Sequence, residues 1–155
     1  MINLAEAASV FAVSALPIIE RGALPLALHA FRFPLALALP IVVVGNSLPA
    51  FAIVYLLDPV MAWLGKYIPS VHRFASVILA GLRRKVHPFV ERFGTVGLVV
   101  FVAIPTPVTG AWTGSGAAAV LGMDKKRAAG AIALGALIAN LLILAADYGF
   151  ANLTR

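Results

Sequence analysis

The sequence predicts an all-α integral membrane protein, and three observations carry that expectation. Of the 155 residues, 62% are apolar and only 12% charged, with a mean hydropathy of +1.01. Soluble domains run nearer half apolar and a quarter charged, and a chain of this size cannot hide so much hydrocarbon within itself. The apolar residues also fall in continuous runs, not in the period-two alternation of an outer-membrane barrel. Continuous runs cross lipid as helices, because a helix satisfies its own backbone hydrogen bonds.

Four apolar stretches follow in order: Leu4–Ile19, Pro34–Leu57, Thr95–Leu121 and Ala128–Tyr148. The second and fourth carry no charge before Asp58 and Asp147. Each is long enough to cross roughly 30 Å of hydrocarbon, with Pro40 and Pro49 as kink points in the first. The other two are interrupted. Leu4–Ile19 runs into Glu20-Arg21-Gly22-Ala23-Leu24-Pro25 before Leu26–Phe31 turns apolar again, and Thr95–Leu121 is broken by Ile104-Pro105-Thr106-Pro107-Val108-Thr109-Gly110. Prolines remove backbone donors and push the preceding residue out of the α region, so each stretch reads as two half-length helices meeting at a polar turn. That is the pattern of a re-entrant hairpin, which dips into the membrane and returns to the side it came from.

Charge placement favours this over four plain spans. With two hairpins, Lys66, Arg73, Arg83, Arg84, Lys85, Arg92, Lys125, Lys126 and Arg127 all lie on one face, and only Arg32 and Arg155 on the other. The positive-inside rule makes the crowded face cytoplasmic and places both termini outside, in a plasma membrane. The expected organisation is a single membrane domain, 1–155, of two inverted repeats. Each is a re-entrant hairpin followed by a transmembrane helix (4–57 and 93–148), and a basic linker (58–92) joins them. Within the linker, Phe74, Val77, Ile78 and Leu82 recur at helical spacing, which predicts an amphipathic helix at the interface, against anionic headgroups.

The net charge of +6 therefore reads as topology. Basic patches interleaved with stacking aromatics, the mark of nucleic-acid binding, are missing from the sequence. The chain has no cysteine, its three histidines show no metal spacing, and no serine elbow, phosphate loop or hydrolytic carboxylate pair is visible. An enzyme is not expected, nor is a cofactor or a metal.

Three groups of residues are candidates for function. Glu20 and Arg21 come first, because ionisable side chains at hydrocarbon depth are costly unless used. Burial and Arg21 act on the Glu20 carboxyl in opposite senses, a balance that suits loading and releasing a proton; the alternative is a pair that snorkels to the interface. Pro25 closes that motif. The second break comes next. Half-helices meeting there aim amides at one locus, and Pro105, Pro107, Thr109, Gly110, Trp112 and Thr113 supply the turn, hydroxyls and an aromatic face. Last are Asn46 and Asn140, at comparable depths in the two spans, as ligand contacts or as structural glue. The stripe Ala131-x-x-x-Gly135-x-x-x-Ala139 allows close helix approach, within the fold or in a homodimer.

The stretches Glu20–Pro25 and Ile104–Gly114, with Leu121-Gly122-Met123 before Lys125-Lys126-Arg127, resemble the small multi-drug export proteins over nearly the whole chain. The resemblance implies export of small drugs. More distantly, Phe89–Gly94, Ile104-Pro105 and the small-residue helix that follows are similar to the DedA/VTT superfamily. That likeness implies paired hairpins and the movement of lipids such as polyprenyl-phosphate carriers. DedA-type proteins carry arginines around the second hairpin, and the matching positions here, near Val102 and Val108 or Thr109, are not basic. The leading expectation is a DedA-like secondary transporter of an amphiphilic lipid phosphate, with Glu20 coupling to protons and Arg21 as its partner or as an anchor for an anionic headgroup. The alternatives are an exporter of cationic drugs and a non-transporting membrane scaffold.

Overall fold

The computed structural model describes residues 3–17, 19–106 and 109–153, and among these every regular element is helical. α1 is Leu4–Ala15, begun by Asn3, whose side chain accepts from the Ala5 amide. A 3₁₀ turn, Glu20–Gly22, leads into a short α2, Ala23–Pro25, and a π-helical turn, Leu26–Ala30. α3 is Leu35–Tyr67, α4 Pro69–Phe93, α5 Thr95–Ala103, α6 Ala111–Val120 and α7 Lys125–Leu153.

Among the described residues, α3 and α7 are the two helices long and apolar enough to cross a membrane. They run antiparallel. Near one end Lys125 lies 3.8 Å from Asp58, and near the other Leu35, Asp147 and Tyr148 share one cavity wall with His29. His29 Nε2 meets the Asp147 carboxylate at 2.5 Å, tying the end of the first broken segment to α7. Exposed aromatics stand at both ends, Trp63 and Tyr67 on α3 and Tyr148 on α7, as in the belts that flank a hydrocarbon zone. The chain is a membrane protein with these two transmembrane helices.

The second sequence break is a break in the structure: α5 stops at Ala103, and α6 begins at Ala111. The first is displaced. Glu20–Pro25, expected as the turn, is helical, and α1 instead stops at Ala15, with Leu16 extended before Pro17, which pushes its preceding residue out of the α region. Two further features differ from the sequence reading. α3 does not end at Asp58 but continues through Pro59 to Tyr67, because a charge marks where a helix leaves apolar surroundings and not where its backbone bonds stop. Only the sharp turn at Ile68, just before Pro69, separates α3 from α4. α4, Pro69–Phe93, also runs well past the amphipathic stretch marked by Phe74, Val77, Ile78 and Leu82. Its second half buries Val86 and packs Leu82 and Val90 on the core, while Val71, Phe74, Val77 and Ile78 remain exposed on its first half.

Packing depends on small residues. Val102 of α5 sits between Gly114 of α6 and Gly135 of α7. A Cβ at Gly114 would overlap Val102 Cγ2, and one at Gly135 would lie 2.7 Å from Val102 Cβ and 2.9 Å from the Val99 carbonyl. Ala131, Ala136 and Ala139 are buried along the same face of α7. The small-residue stripe is therefore occupied by α5 within one chain. Gly45 does the same for α1 against α3, since a Cβ there would overlap Ser14 Oγ.

Replacing Gly135 by leucine should lower the melting temperature of the detergent-solubilised protein, at a cost of about 1–3 kcal/mol for overpacking. Gly130→Ala, where nothing lies within 4 Å of the new methyl, should leave it unchanged or slightly raised; equal melting of the two variants would contradict the packing described.

Candidate functional site

The two breaks face each other beside the middle of α7 and of the uncharged part of α3, residues 35–57. Asn46 lies about 17 Å along α3 from Leu35 and about 18 Å from Asp58, at 1.5 Å rise per residue. Each break supplies what the helix ends of the other lack. The last carbonyls of a helix and its first amides have no partners inside it.

Arg21, from the first break, donates through Nη2 to the carbonyl of Ile104 at 3.3 Å and to the carbonyl of Thr109. Its cation thus stands at the C-terminal end of α5, where the helix dipole is negative. Glu20, next in the chain, turns the other way. Its carboxyl meets Gly110 and the backbone amide of Ala111, at the N-terminus of α6, where no side chain of the break itself provides a cap. An anion belongs at that end of a helix. In return, Trp112 of the second break donates from Nε1 to the Ala15 carbonyl, 3.1 Å away, at the C-terminus of α1. Three helix ends are therefore capped in trans.

Gly110 is what permits the close approach. Its backbone is extended (φ 169°), so the need for glycine is space, not conformation: a Cβ would overlap Glu20 Oε1.

Behind this contact lies a small cavity of about 10 Å³, lined by polar Glu20, Arg21, Asn46 and Asn140 among apolar neighbours that include Val102 and Ile143. Glu20 is only 6% exposed and Asn140 2%. Asn46, with its amide oriented to satisfy its neighbours, donates to the Ser14 carbonyl at 2.6 Å and to the Val42 carbonyl at 3.3 Å, and accepts from Asn140 Nδ2 at 3.2 Å. Asn140 Nδ2 also donates to the Ala136 carbonyl at 2.8 Å. The two asparagines are therefore bonded to each other as well as lining the cavity.

Of the residues singled out in the sequence, Glu20, Arg21, Asn46, Gly110 and Asn140 meet at this cavity, while Thr109 and Trp112 bond across the breaks to Arg21 and Ala15. Pro25, Pro105 and Thr113 do not line it: Pro25 sits in α2, Pro105 is exposed, and Thr113 bonds back to the Gly110 carbonyl within its own helix. Pro107 lies outside the described residues. Sequence reasoning missed Ser14 as a partner, and the carbonyls of Ala15, Ile104 and Thr109 with the amide of Ala111. Backbone groups leave no signal in residue identity. Among the described residues there is no cluster that could hold a metal ion.

A family model for small multi-drug export proteins matches residues 20–142, most of the chain. The chain belongs to that family. The second break, Asn46 and Asn140 fall inside the matched region, which opens on Glu20 itself and leaves α1 outside. Comparison with curated proteins and with solved structures finds no match.

Trp112→Phe keeps the ring but removes the donor to Ala15, and should destabilise the protein by about 1–3 kcal/mol. Gly110→Ala should cost a similar amount by displacing the Glu20 carboxyl. Thermal melts followed by tryptophan fluorescence for the alanine variant and by circular dichroism for both would show it, and wild-type melting of both would refute the trans-capping.

Proposed function

We propose that this protein is a proton-driven exporter of small amphiphilic compounds in the plasma membrane, with Glu20 as the acid that loads and releases the proton. The observation that carries this reading is a carboxyl 6% exposed, level with Asn46 and Asn140 inside the apolar runs of the two transmembrane helices, where both breaks converge. A charge held at such depth costs several kcal/mol, so a carboxyl retained there is a candidate for function. The family description points the same way.

In this reading each broken stretch is a re-entrant hairpin, the two halves are inverted with respect to each other, and the basic α4 side is cytoplasmic. The antiparallel course of α3 and α7 and the facing breaks support that arrangement. The cavity at Glu20 has room for a proton and a water but not for a drug. Substrate therefore binds elsewhere and exchanges with the proton when the breaks part. A neighbouring groove of about 330 Å³ between α4 and the second break suits it, at the lower end of ligand-site volumes. Ile78, Leu82 and Phe101 offer an apolar wall, Thr113 a hydroxyl, and Thr109 is shared with the Glu20–Arg21 contact through its carbonyl.

The lipid-phosphate form of the transporter is less well supported. It needs a buried cation free to meet a phosphate, and Arg21 is engaged by two carbonyls. The pair Glu20–Arg21 leaves no surplus of positive charge at the cavity. The groove itself is lined by Lys85 beside its apolar wall, so apolar bulk and not a negative charge selects the substrate there.

Glu20→Gln should abolish proton-driven uptake of ethidium into everted membrane vesicles at unchanged protein level; wild-type uptake by this variant would end the proposal. Gly81 lies on the groove with nothing within 4 Å of a new Cβ, so Gly81→Leu should fill it and weaken ethidium handling roughly tenfold, the equivalent of 1.4 kcal/mol, while leaving the melting temperature intact.

A further inference from the structure

Two buried oxygens at the central cavity have no hydrogen-bond partner among the described residues: Glu20 Oε2 and Asn140 Oδ1. Both residues line the same 10 Å³ space. An amide oxygen only accepts, and so does a carboxylate, so the two cannot satisfy one another. A buried acceptor left bare costs about 1–3 kcal/mol. Whatever stands between them must bring hydrogens or positive charge, and the volume admits one water-sized particle.

Electrostatics selects among the possibilities. Glu20 and Arg21 are the charged groups at this cavity, and they already balance. A metal cation would leave a net positive charge in an apolar enclosure, without the hydration that makes it tolerable. A proton on Glu20 would serve the pair only in the acid form. A water molecule, with two hydrogens and two lone pairs, serves both oxygens in both forms.

We infer that the cavity is a single-water site bridging Glu20 Oε2 and Asn140 Oδ1, and that Asn140 is a positioning residue for the Glu20 carboxyl. The water closes a chain. From Glu20 it passes to Asn140 on α7, from Asn140 Nδ2 to Asn46 on α3, and from Asn46 to the Ser14 carbonyl at the end of α1. When Glu20 is a carboxylate the water donates to both oxygens. When Glu20 is an acid its O–H donates to the water, which keeps its bond to Asn140. Gain of a proton is thus registered by reorientation of one water while the link between α3 and α7 stays made. The transport role of this water rests on the reading of Glu20 as the coupling acid; the site itself does not.

The test is infrared difference spectroscopy of the purified full-length protein in lipid vesicles, between acidic and alkaline buffer, in H₂¹⁶O and H₂¹⁸O. Wild type should show a carboxyl C=O band that disappears in Glu20→Gln, together with an O–H stretching band that moves with the oxygen isotope. Asn140→Leu should lose the isotope-sensitive band and shift the C=O band. Asn140→Ser, which keeps an acceptor oxygen, should retain both. Should Asn140→Leu fail to fold, Ala136→Val places methyls on the cavity wall with Asn140 intact and should also lose the water band. An isotope-sensitive band unchanged in both Asn140→Leu and Ala136→Val, or absent from wild type, overturns the site. So does a carboxyl band that appears or vanishes with sodium in place of pH, since that identifies a cation site. Ethidium uptake that survives Glu20→Gln, with the water band behaving as described, sinks the exporter reading and leaves the water site standing.

Discussion

The structure hangs on an exchange of caps between two interrupted helices. A helix that stops inside an apolar environment leaves amides and carbonyls that water cannot reach, and each such group is expensive. Here the dipeptide Glu20-Arg21 is set across the gap between α5 and α6, with its anion toward the amides that open α6 and its cation toward the carbonyls that close α5. Trp112 returns the service to α1. Neither break is tolerable without the other, and the buried charge is tolerable because helix ends neutralise it.

The remaining architecture brings these caps into register. Gly45 lets α1 lie on α3, Gly114 and Gly135 let α5 sink between α6 and α7, and Gly110 lets the Glu20 carboxyl reach the α6 amides. The bond between Asn46 and Asn140 then fixes the two long helices at the same level as the caps. The polar groups of the interior are thereby gathered into one place, and the flanks are left to Ala, Val and Leu.

Much of this was legible in the sequence because its strongest signals are physical prohibitions. Prolines at 105 and 107 rule out a continuous helix, and the second break lies where they forbid one; the first lies beside Pro17, just before the charges at 20 and 21 that marked it in the sequence. Hydrophobic length alone marked α3 and α7. The helical continuation of α3 past Asp58 was not legible, since charge reports surroundings and not backbone geometry. The destination of Arg21 was hidden for a related reason. Its partners are main-chain carbonyls of Ile104 and Thr109, groups that every residue carries and no residue advertises. The stripe from Ala131 to Ala139 was ambiguous because close approach has the same composition whether the neighbour is α5 or a second molecule.

Reciprocal capping also sets a problem of timing. The ribosome delivers Glu20 and Arg21 to the membrane well before residues 104–112 exist, a delay of roughly 5–20 s at 5–20 residues per second. During that interval the first segment holds a carboxyl, a guanidinium and an Ala15 carbonyl whose partners do not yet exist. The caps therefore form late and together, once the chain has been made as far as Trp112.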